Sequence, residues 1–192
     1  MNFNRVYFAM AMCVLIACSN DDVDTHDIDP KTQAALDDLA EIQSNWDERT
    51  EESRADYCYV TSRCSFTGSC YYTEIQVQNH AVVARIYKET LRQIDGSEEL
   101  VTNWEEDSSL LGSHDDVFAS DVSTYDELLV TCEDKYISSI ENVDDVSFHI
   151  NASEEGLLDA CVYEMDNCFD DCTTGINIHA FELASSDCSD SY

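Results

Sequence analysis

Eight cysteines between positions 58 and 188 constrain the fold of this chain more than any other feature of its sequence. An even number of cysteines in an exported chain predicts a disulfide framework, here of four bonds, although eight cysteines allow 105 pairings. No Cys-x-x-Cys sequence occurs, which removes the most common zinc-binding and thioredoxin-like motifs. The candidates are Cys58, Cys64, Cys70, Cys132, Cys161, Cys168, Cys172 and Cys188.

Two short spacings favour local bonds. Cys64 and Cys70 flank the segment Ser-Phe-Thr-Gly-Ser, so a disulfide across the mouth of a hairpin is expected. Cys168 and Cys172 can close a small loop. The other four cysteines would then pair among themselves, in an order that the sequence leaves open.

The first eighteen residues predict export. A short segment with one positive charge precedes the apolar run Val6–Ala17, whose twelve residues are too few to span a bilayer core. The run ends in Leu15-Ile16-Ala17-Cys18, which resembles the lipobox of bacterial lipoproteins. That resemblance implies that residues 1–17 are a signal peptide and that Cys18 is diacylated on its thiol and becomes the new N-terminus.

Lipidation of Cys18 would attach the protein to a membrane through buried acyl chains. Ordinary secretion with cleavage near Ser19 is the alternative. Residues 18–30 contain five aspartates and little apolar content, which indicates a solvated tether. We therefore expect a lipid-anchored protein of the cell envelope. It would lie in the outer membrane, either on the periplasmic side or at the cell surface, and the sequence does not determine which leaflet holds the lipid.

The net charge of −32 at pH 7 limits the choice of partners. A body this acidic is repelled by phosphate backbones and by anionic membrane surfaces, which argues against nucleic-acid binding. With 44% hydrophobic residues the chain is nonetheless able to form a core, and its length suits one domain over residues 31–192. A saline habitat, a cationic partner or divalent ions would each account for the acidity.

The first half of the domain predicts a helix followed by three strands. Asp29 can cap a helix that begins at Pro30, and apolar residues spaced by three or four continue to about Arg54. Alternating β-forming residues follow, with Asn79-His80 at a tight hairpin turn. The predicted strands span 57–65, 70–78 and 81–87.

The second half predicts another helix and three more strands, after an acidic insert at about 88–120. Ser123 and Asp126 suggest a capping box, and apolar residues from Tyr125 to Ile140 line one helix face. The order of elements predicts an α+β fold. It begins with an N-terminal helix and a three-stranded antiparallel meander, and it continues with a second helix and a second three-stranded meander. The helices are expected to pack on one face of the sheet. The later strands span 146–150, 157–164 and 175–183.

A further resemblance rests on the first predicted strand. Trp46, followed by Asp56-Tyr57-Cys58-Tyr59 and then Cys64, resembles the opening of a family of exported bacterial domains of unknown function, which are often lipoproteins. Tyr125-Asp126-Glu127-Leu128 resembles the start of that family's second helix. The resemblance covers about residues 31–185 and implies no activity. The chain departs from the family by its added cysteines, its acidic insert and the missing Gly-x-Pro at the late turn.

One acidic loop is a candidate calcium site. Asp166, Asp170 and Asp171 crowd the loop that a Cys168–Cys172 bond would close, and carboxylate oxygens are the ligands that calcium prefers. The EF-hand pattern is not met, because its glycine and its terminal glutamate are missing. For the whole protein, a calcium-dependent envelope domain is therefore the alternative to a domain that binds without an ion. For the loop itself, the competing interpretation is a solvated acidic loop that binds no calcium.

Two weaker candidates involve histidines and tyrosines. His149 and His179 fall on predicted strands at positions that would share a face, where an added acid would complete a zinc or copper site; ordinary surface histidines are the alternative. The tyrosines of the first meander should contribute to both faces of the sheet, one of which packs in the core. If the other face is uncovered, its aromatic side chains would form a binding surface. These tyrosines are Tyr57, Tyr59, Tyr71, Tyr72 and Tyr87.

Catalytic motifs are missing from the sequence, which contains neither Gly-x-Ser-x-Gly nor His-Glu-x-x-His, and no phosphate-binding or dinucleotide-binding glycine pattern. We therefore predict a lipid-anchored envelope protein that works by binding, with another envelope protein as the expected partner and no enzymatic activity. A hydrolase is the third hypothesis and the weakest, because 41 acidic residues create carboxylate pairs by chance.

Overall fold

One seven-stranded antiparallel sheet organises the chain. The computed structural model describes residues 28–168, 172–185 and 187–188. Its strands are β1 (Tyr57–Cys64), β2 (Ser69–Gln78), β3 (Ala81–Arg92), β4 (Glu98–Asp107), β5 (Val146–Ala152), β6 (Leu158–Met165) and β7 (Thr173–Leu183). The order across the sheet is β4-β3-β2-β1-β7-β6-β5. The predicted α+β fold with disulfides is confirmed, but the meanders have four and three strands, and pairing of β1 with β7 joins them into one sheet.

Strand β4 lies within the segment that the sequence predicts to be an acidic insert. In the structure β3 continues to Arg92, and β4 pairs with it, so irregular structure is confined to the β3–β4 turn and to the loop after β4. β4 is an edge strand and exposes every side chain except Trp104 and Glu106. Because most of the strand has no buried face, its sequence lacks the alternation on which a strand prediction depends.

The described residues also form three α-helices: α1 (Pro30–Asp47), α2 (Glu51–Ala55) and α3 (Tyr125–Thr131). The start of α1 is confirmed, since the Asp29 carboxylate accepts a hydrogen bond from the Lys31 N–H at 2.8 Å. The predicted end at Arg54 is wrong. The Thr50 hydroxyl accepts from the Ser53 N–H at 3.3 Å and so begins α2 as a separate helix.

Helix α3 begins one residue later than predicted. Thr124 is its N-cap: the Thr124 hydroxyl accepts from the Glu127 N–H at 3.3 Å, and the Glu127 carboxylate accepts from the Thr124 N–H at 2.8 Å. A π-helical turn, Cys132–Ile137, continues α3, and a 3₁₀ turn, Val143–Asp145, precedes β5. Because a π turn is wider than an α turn, the fully buried residue here is Ile137 rather than the predicted Ile140.

Trp46 lies at the centre of the main core, between the helices and the sheet. Its fully buried ring meets Tyr57, Tyr125 and Phe181 edge-on, at centroid distances of 5.4, 4.8 and 6.2 Å. The Tyr57 hydroxyl accepts from the Tyr125 N–H at 2.8 Å, and the Tyr125 hydroxyl accepts from the Leu158 N–H at 2.6 Å. These bonds satisfy buried backbone donors and tie the first turn of α3 to β1 and β6.

The opposite sheet face carries a much smaller apolar cluster, to which the C-terminal residues contribute. Buried Cys188 packs here, and its N–H donates to the carboxylate of Glu74, which is also fully buried, at 3.0 Å. Gln76 donates to the same Glu74 oxygen at 2.7 Å. The cluster consists of Cys58, Val60, Cys70, Tyr72 and Cys188, with Ala180 against it.

All eight candidate cysteines form disulfides. The two local bonds are confirmed as Cys64–Cys70 and Cys168–Cys172. The structure decides the order that the sequence left open, since Cys58 pairs with Cys188 and Cys132 pairs with Cys161. The first of these long-range bonds links β1 to the C-terminal segment, and the second links the π-helical turn to β6. Four disulfides are consistent with an oxidising, extracytoplasmic compartment.

Candidate functional site

A cleft of about 540 Å³ opens on the helix-bearing face of the sheet. Its walls are a loop (residues 115–123), the sheet at β1, β2 and the start of β7, and the helical segment formed by α3 and the π turn. We call these the loop wall, the sheet wall and the helix wall. The volume falls within the range of about 300–1,000 Å³ that is usual for small-molecule sites.

A buried ion pair holds the start of the loop against the sheet. Arg85 on β3 and Glu106 on β4 are 5% and 0% exposed, and they form two hydrogen bonds of 2.8 and 3.1 Å. The remaining Arg85 donors reach the loop carbonyls of His114 at 2.8 Å and Ser120 at 3.1 Å. The guanidinium therefore joins two strands and both ends of the loop segment that follows β4.

Glu106 holds the same loop through its carboxylate. Burial opposes ionisation of this group, but hydrogen bonds from the Arg85 side chain, from the N–H groups of His114 and Gly112 and from the Ser113 hydroxyl outweigh burial. Together they hold the pKa of the Glu106 carboxyl well below its usual range. Glu106 is thus ionised at neutral pH, and the loop closes around a paired charge.

Ring stacking and hydroxyl contacts fix the rest of the loop wall. Phe118 stacks on Tyr71 of β2 with ring centroids 4.3 Å apart. The Ser120 hydroxyl lies 2.6 Å from the Thr61 hydroxyl of β1, and the Ser120 N–H donates to the Thr73 hydroxyl at 3.0 Å. These contacts support the loop from below and hold it against the sheet.

The lining of the cleft carries charges of both signs. Two cations, Arg63 on the sheet wall and Lys135 on the helix wall, face the cleft. The loop wall contributes Asp115, Asp116 and Asp121. The Asp116 carboxylate accepts from the Phe118 N–H at 3.0 Å, and the Lys135 ammonium lies 5.2 Å from the centroid of the neighbouring Tyr136 ring.

The predicted calcium loop is described only in part. Asp166 accepts a hydrogen bond from the Ser147 hydroxyl at 3.0 Å, and its own N–H donates to the Asp145 carbonyl at 2.9 Å. Asp170 and Asp171 lie outside the described residues, as does the predicted lipidation site Cys18. Among the residues that are described, no group of three or more metal-ligating side chains is found.

The structure places the two candidate histidines in different surroundings. His149 lies 3.7 Å from Glu164 on the neighbouring strand, whereas the His179 ring meets the Tyr72 ring edge-on at 5.2 Å. Both lie on the sheet face opposite the helices, but they share no contact partner in the described part of the chain.

The tyrosines of the first meander do not form an uncovered aromatic face. Tyr57, Tyr59 and Tyr87 are buried on the helix-bearing face, and Tyr72 is 7% exposed on the other. Burial raises the pKa of the Tyr57 hydroxyl to about 12 and also raises the pKa of Tyr59 and Tyr87. Tyr71 borders the cleft, as part of the sheet wall.

Sequence reasoning missed the cleft because its walls come from distant parts of the chain. Arg63 and Lys135 are separated by 72 positions, and most of the loop wall falls in the predicted insert at about 88–120, whose residues show no clear helical or strand period. The apolar residues at 117 and 118 within the acidic insert are expected docking points, and of the two only Phe118 stacks on the sheet, whereas Val117 is 83% exposed.

Comparisons with known protein families, with curated proteins and with solved structures found no match to this chain. None of the helices among the described residues has the length and apolar character needed to cross a membrane. The geometry of the cleft therefore carries the functional argument.

Proposed function

We propose that this protein is a lipid-anchored binding domain of the cell envelope, and that the cleft between the loop, sheet and helix walls holds a small ligand. The observation that carries the proposal is the preformed cavity of about 540 Å³ with both aromatic and charged lining. Pockets of this size that combine apolar surface with a few polar groups are the usual sites for small ligands.

Rigidity of the walls supports binding. The Arg85–Glu106 pair and the Tyr71–Phe118 stack are contacts within the protein that hold the loop in place. The Cys132–Cys161 disulfide fixes the middle of the helix wall, where the π turn begins, to β6. Because a preorganised site loses little conformational entropy on binding, more of the contact energy is available as affinity.

Ligand mapping by NMR tests the binding site. The mature domain, labelled with ¹⁵N, would be titrated separately with amino acids, short peptides, monosaccharides and uronic acids. We expect at least one class to shift the amide signals of cleft residues such as Ser120 and Ile176. Thr174→Trp, which places a large side chain in the cleft, should abolish those shifts. Thr102→Trp is the matched control, because Thr102 is also exposed on a strand but lies outside the cleft.

Two outcomes would contradict the proposed site. One is the absence of shifts at cleft amides with every probe class, and the other is the persistence of those shifts in the Thr174→Trp protein. In the second case the ligand would bind elsewhere on the domain.

Metabolic labelling with a fatty-acid analogue tests the anchor separately. In a bacterial host with a lipoprotein pathway, the full-length chain should incorporate the label and fractionate with membranes. Cys18→Ala should lose both properties, whereas Cys13→Ala should keep them, since Met12 is too large for the position before a lipidated cysteine. Equal labelling of the two variants would contradict lipidation at Cys18.

A further inference from the structure

The basic side chains of this acidic chain are almost all engaged. Eight of the nine Lys and Arg residues lie in the described segments. Arg54 contacts Asp47 and Asp126, and Arg92 contacts Glu98. Lys31 donates to three backbone carbonyls and Arg49 to one. In a chain with 41 acids, a surface cation readily finds a carboxylate partner.

Arg63 and Lys135 are the exceptions. Neither side chain has a hydrogen bond or an ion pair within the described part of the chain, where Lys135 contacts only the neighbouring Tyr136 ring, and both residues line the cleft. They come from different walls, β1 and the π turn, so no local sequence effect explains their shared position. Two cations at one cavity, with no carboxylate partner among the described residues, indicate a place for an anionic group of a ligand.

The loop wall offers the opposite charge. Neither Asp115 nor Asp121 has a hydrogen bond or ion pair to its carboxylate within the described segments, whereas the Asp116 carboxylate is used within the loop. The two free carboxylates face the same cavity as Arg63 and Lys135. The cleft is therefore polarised, with anions on the loop wall and cations on the other two walls.

The net charge of the protein selects between ligand classes. A purely anionic ligand is repelled by a body with a charge of −32, and a purely cationic ligand is attracted to acidic surface everywhere. A ligand that is neutral overall but carries both charges experiences little long-range repulsion and still matches the polarised cleft. Tyr71 and Tyr136 supply apolar surface for the part of the ligand between its charged ends.

We propose that the cleft binds a zwitterion of the short-peptide class, with its carboxylate at Arg63 and Lys135 and its ammonium group at Asp115 and Asp121. This inference rests on the proposed function, because it specifies the ligand of the same cleft. The recognition is of the two termini, so that a free amino group and a free carboxylate are both required.

Titration with four forms of trialanine tests the proposal. The probes are the free zwitterion, the N-acetyl form, the C-terminal amide and the doubly blocked peptide, and binding is followed by NMR shifts of cleft amides. The free peptide should bind most tightly. Each single block should weaken binding about fivefold, as expected for one charge contact in a solvated cleft, and the double block should weaken it further.

Charge variants assign each terminus. Arg63→Gln combined with Lys135→Gln should remove the preference for a free carboxylate and keep that for a free amine. Asp115→Asn combined with Asp121→Asn should do the reverse. Arg92→Gln, which neutralises an exposed cation outside the cleft, should change neither preference.

Each result separates this inference from the proposed function. Equal affinity of the free and doubly blocked peptides would overturn zwitterion recognition while leaving a binding cleft. Failure of all four peptides at a cleft that a sugar probe occupies would also overturn the inference alone. Failure of the peptides together with every other probe class would overturn both.

Discussion

The two faces of the sheet are stabilised in different ways. The helix-bearing face buries an aromatic core around Trp46, and α1 and α3 cover it. The other face has five buried cluster residues, and its cover is a short C-terminal segment attached through the Cys58–Cys188 disulfide. Burial of apolar surface dominates on the first face, and a covalent link supplies much of the stability of the second.

The two faces also differ in their relation to the proposed binding site. The proposed binding cleft lies on the face with the large core, where the buried Arg85–Glu106 pair and packed rings fix its walls. The face covered by the C-terminal segment has a buried carboxylate, Glu74, that bonds mainly to nearby backbone and side-chain amides. A rigid scaffold on one face is therefore available to position a ligand, and the other face can be changed with less effect on binding.

The largest expected effect is on the aromatic core. Trp46→Ala should lower the free energy of unfolding by about 4–5 kcal/mol, because it leaves a cavity and removes the indole donor from Asp126. Trp104→Ala is the matched control, since its ring on the edge strand is only half-buried, and it should cost about 1–2 kcal/mol. Urea denaturation measures both. Equal losses would mean that the core around Trp46 does not dominate stability.

The disulfide of the opposite face should have the next largest effect. Replacing Cys58 and Cys188 by Ala should cost about 4 kcal/mol, because the bond closes a loop of 130 residues. Replacing Cys64 and Cys70, which close a separation of 6, should cost about 2 kcal/mol. Denaturation of both double variants gives the comparison. A smaller loss for the Cys58–Cys188 pair would show that the C-terminal cover adds little.

Alkaline pH should destabilise the helix-bearing face. Burial raises the pKa of Tyr57 from 10.0 to about 12, and it raises the pKa of Tyr59 and Tyr125 as well. A raised folded-state pKa gives stability that is present below pH 10 and is lost as the pH rises through 12. Tyrosinate absorbance and circular dichroism should therefore change together in this window. Full tyrosine ionisation with retained near-ultraviolet dichroism would contradict burial.

The smallest expected effect concerns the start of α3. Thr124→Ala should lower the free energy of unfolding by about 1 kcal/mol, because it removes the N-cap hydroxyl. Ser123→Ala, at the residue that the sequence suggested as the cap, should cost less than half of that. Thermal unfolding of the two variants distinguishes them, and a larger loss for Ser123→Ala would place the cap where the sequence predicted it.

Local chemistry explains which elements could be predicted. Asn79 and His80 occupy the hairpin turn with φ values of 50° and 63°, as their tolerance of positive φ suggested. Six of the seven strands were expected close to their observed positions, because each has a buried face that imposes an alternating pattern. β4 was missed because exposed edge residues such as Leu100 and Val101 carry no such pattern.

The site depended on longer-range organisation. Lys135 reaches the cleft because a π turn rotates the helix after Thr131, and no sequence pattern signalled that turn. Arg63 reaches it because β1 pairs with both β2 and β7. Of the predicted calcium ligands, Asp166 lies after β6 and outside the cleft, whereas Asp170 and Asp171 lie outside the described residues, so the calcium hypothesis remains a prediction.

By itself the sequence determined the disulfide chemistry, the cap of α1, most strands and the α+β class, because these follow from residue type and near-neighbour spacing. Only the tertiary structure decided that Cys58 joins Cys188, that two meanders become one sheet and that Arg63 and Lys135 line the same cleft. These outcomes depend on which distant segments pack together. The packing of distant segments is determined by burial of the core as a whole. The spacing of residues along the chain therefore does not predict it.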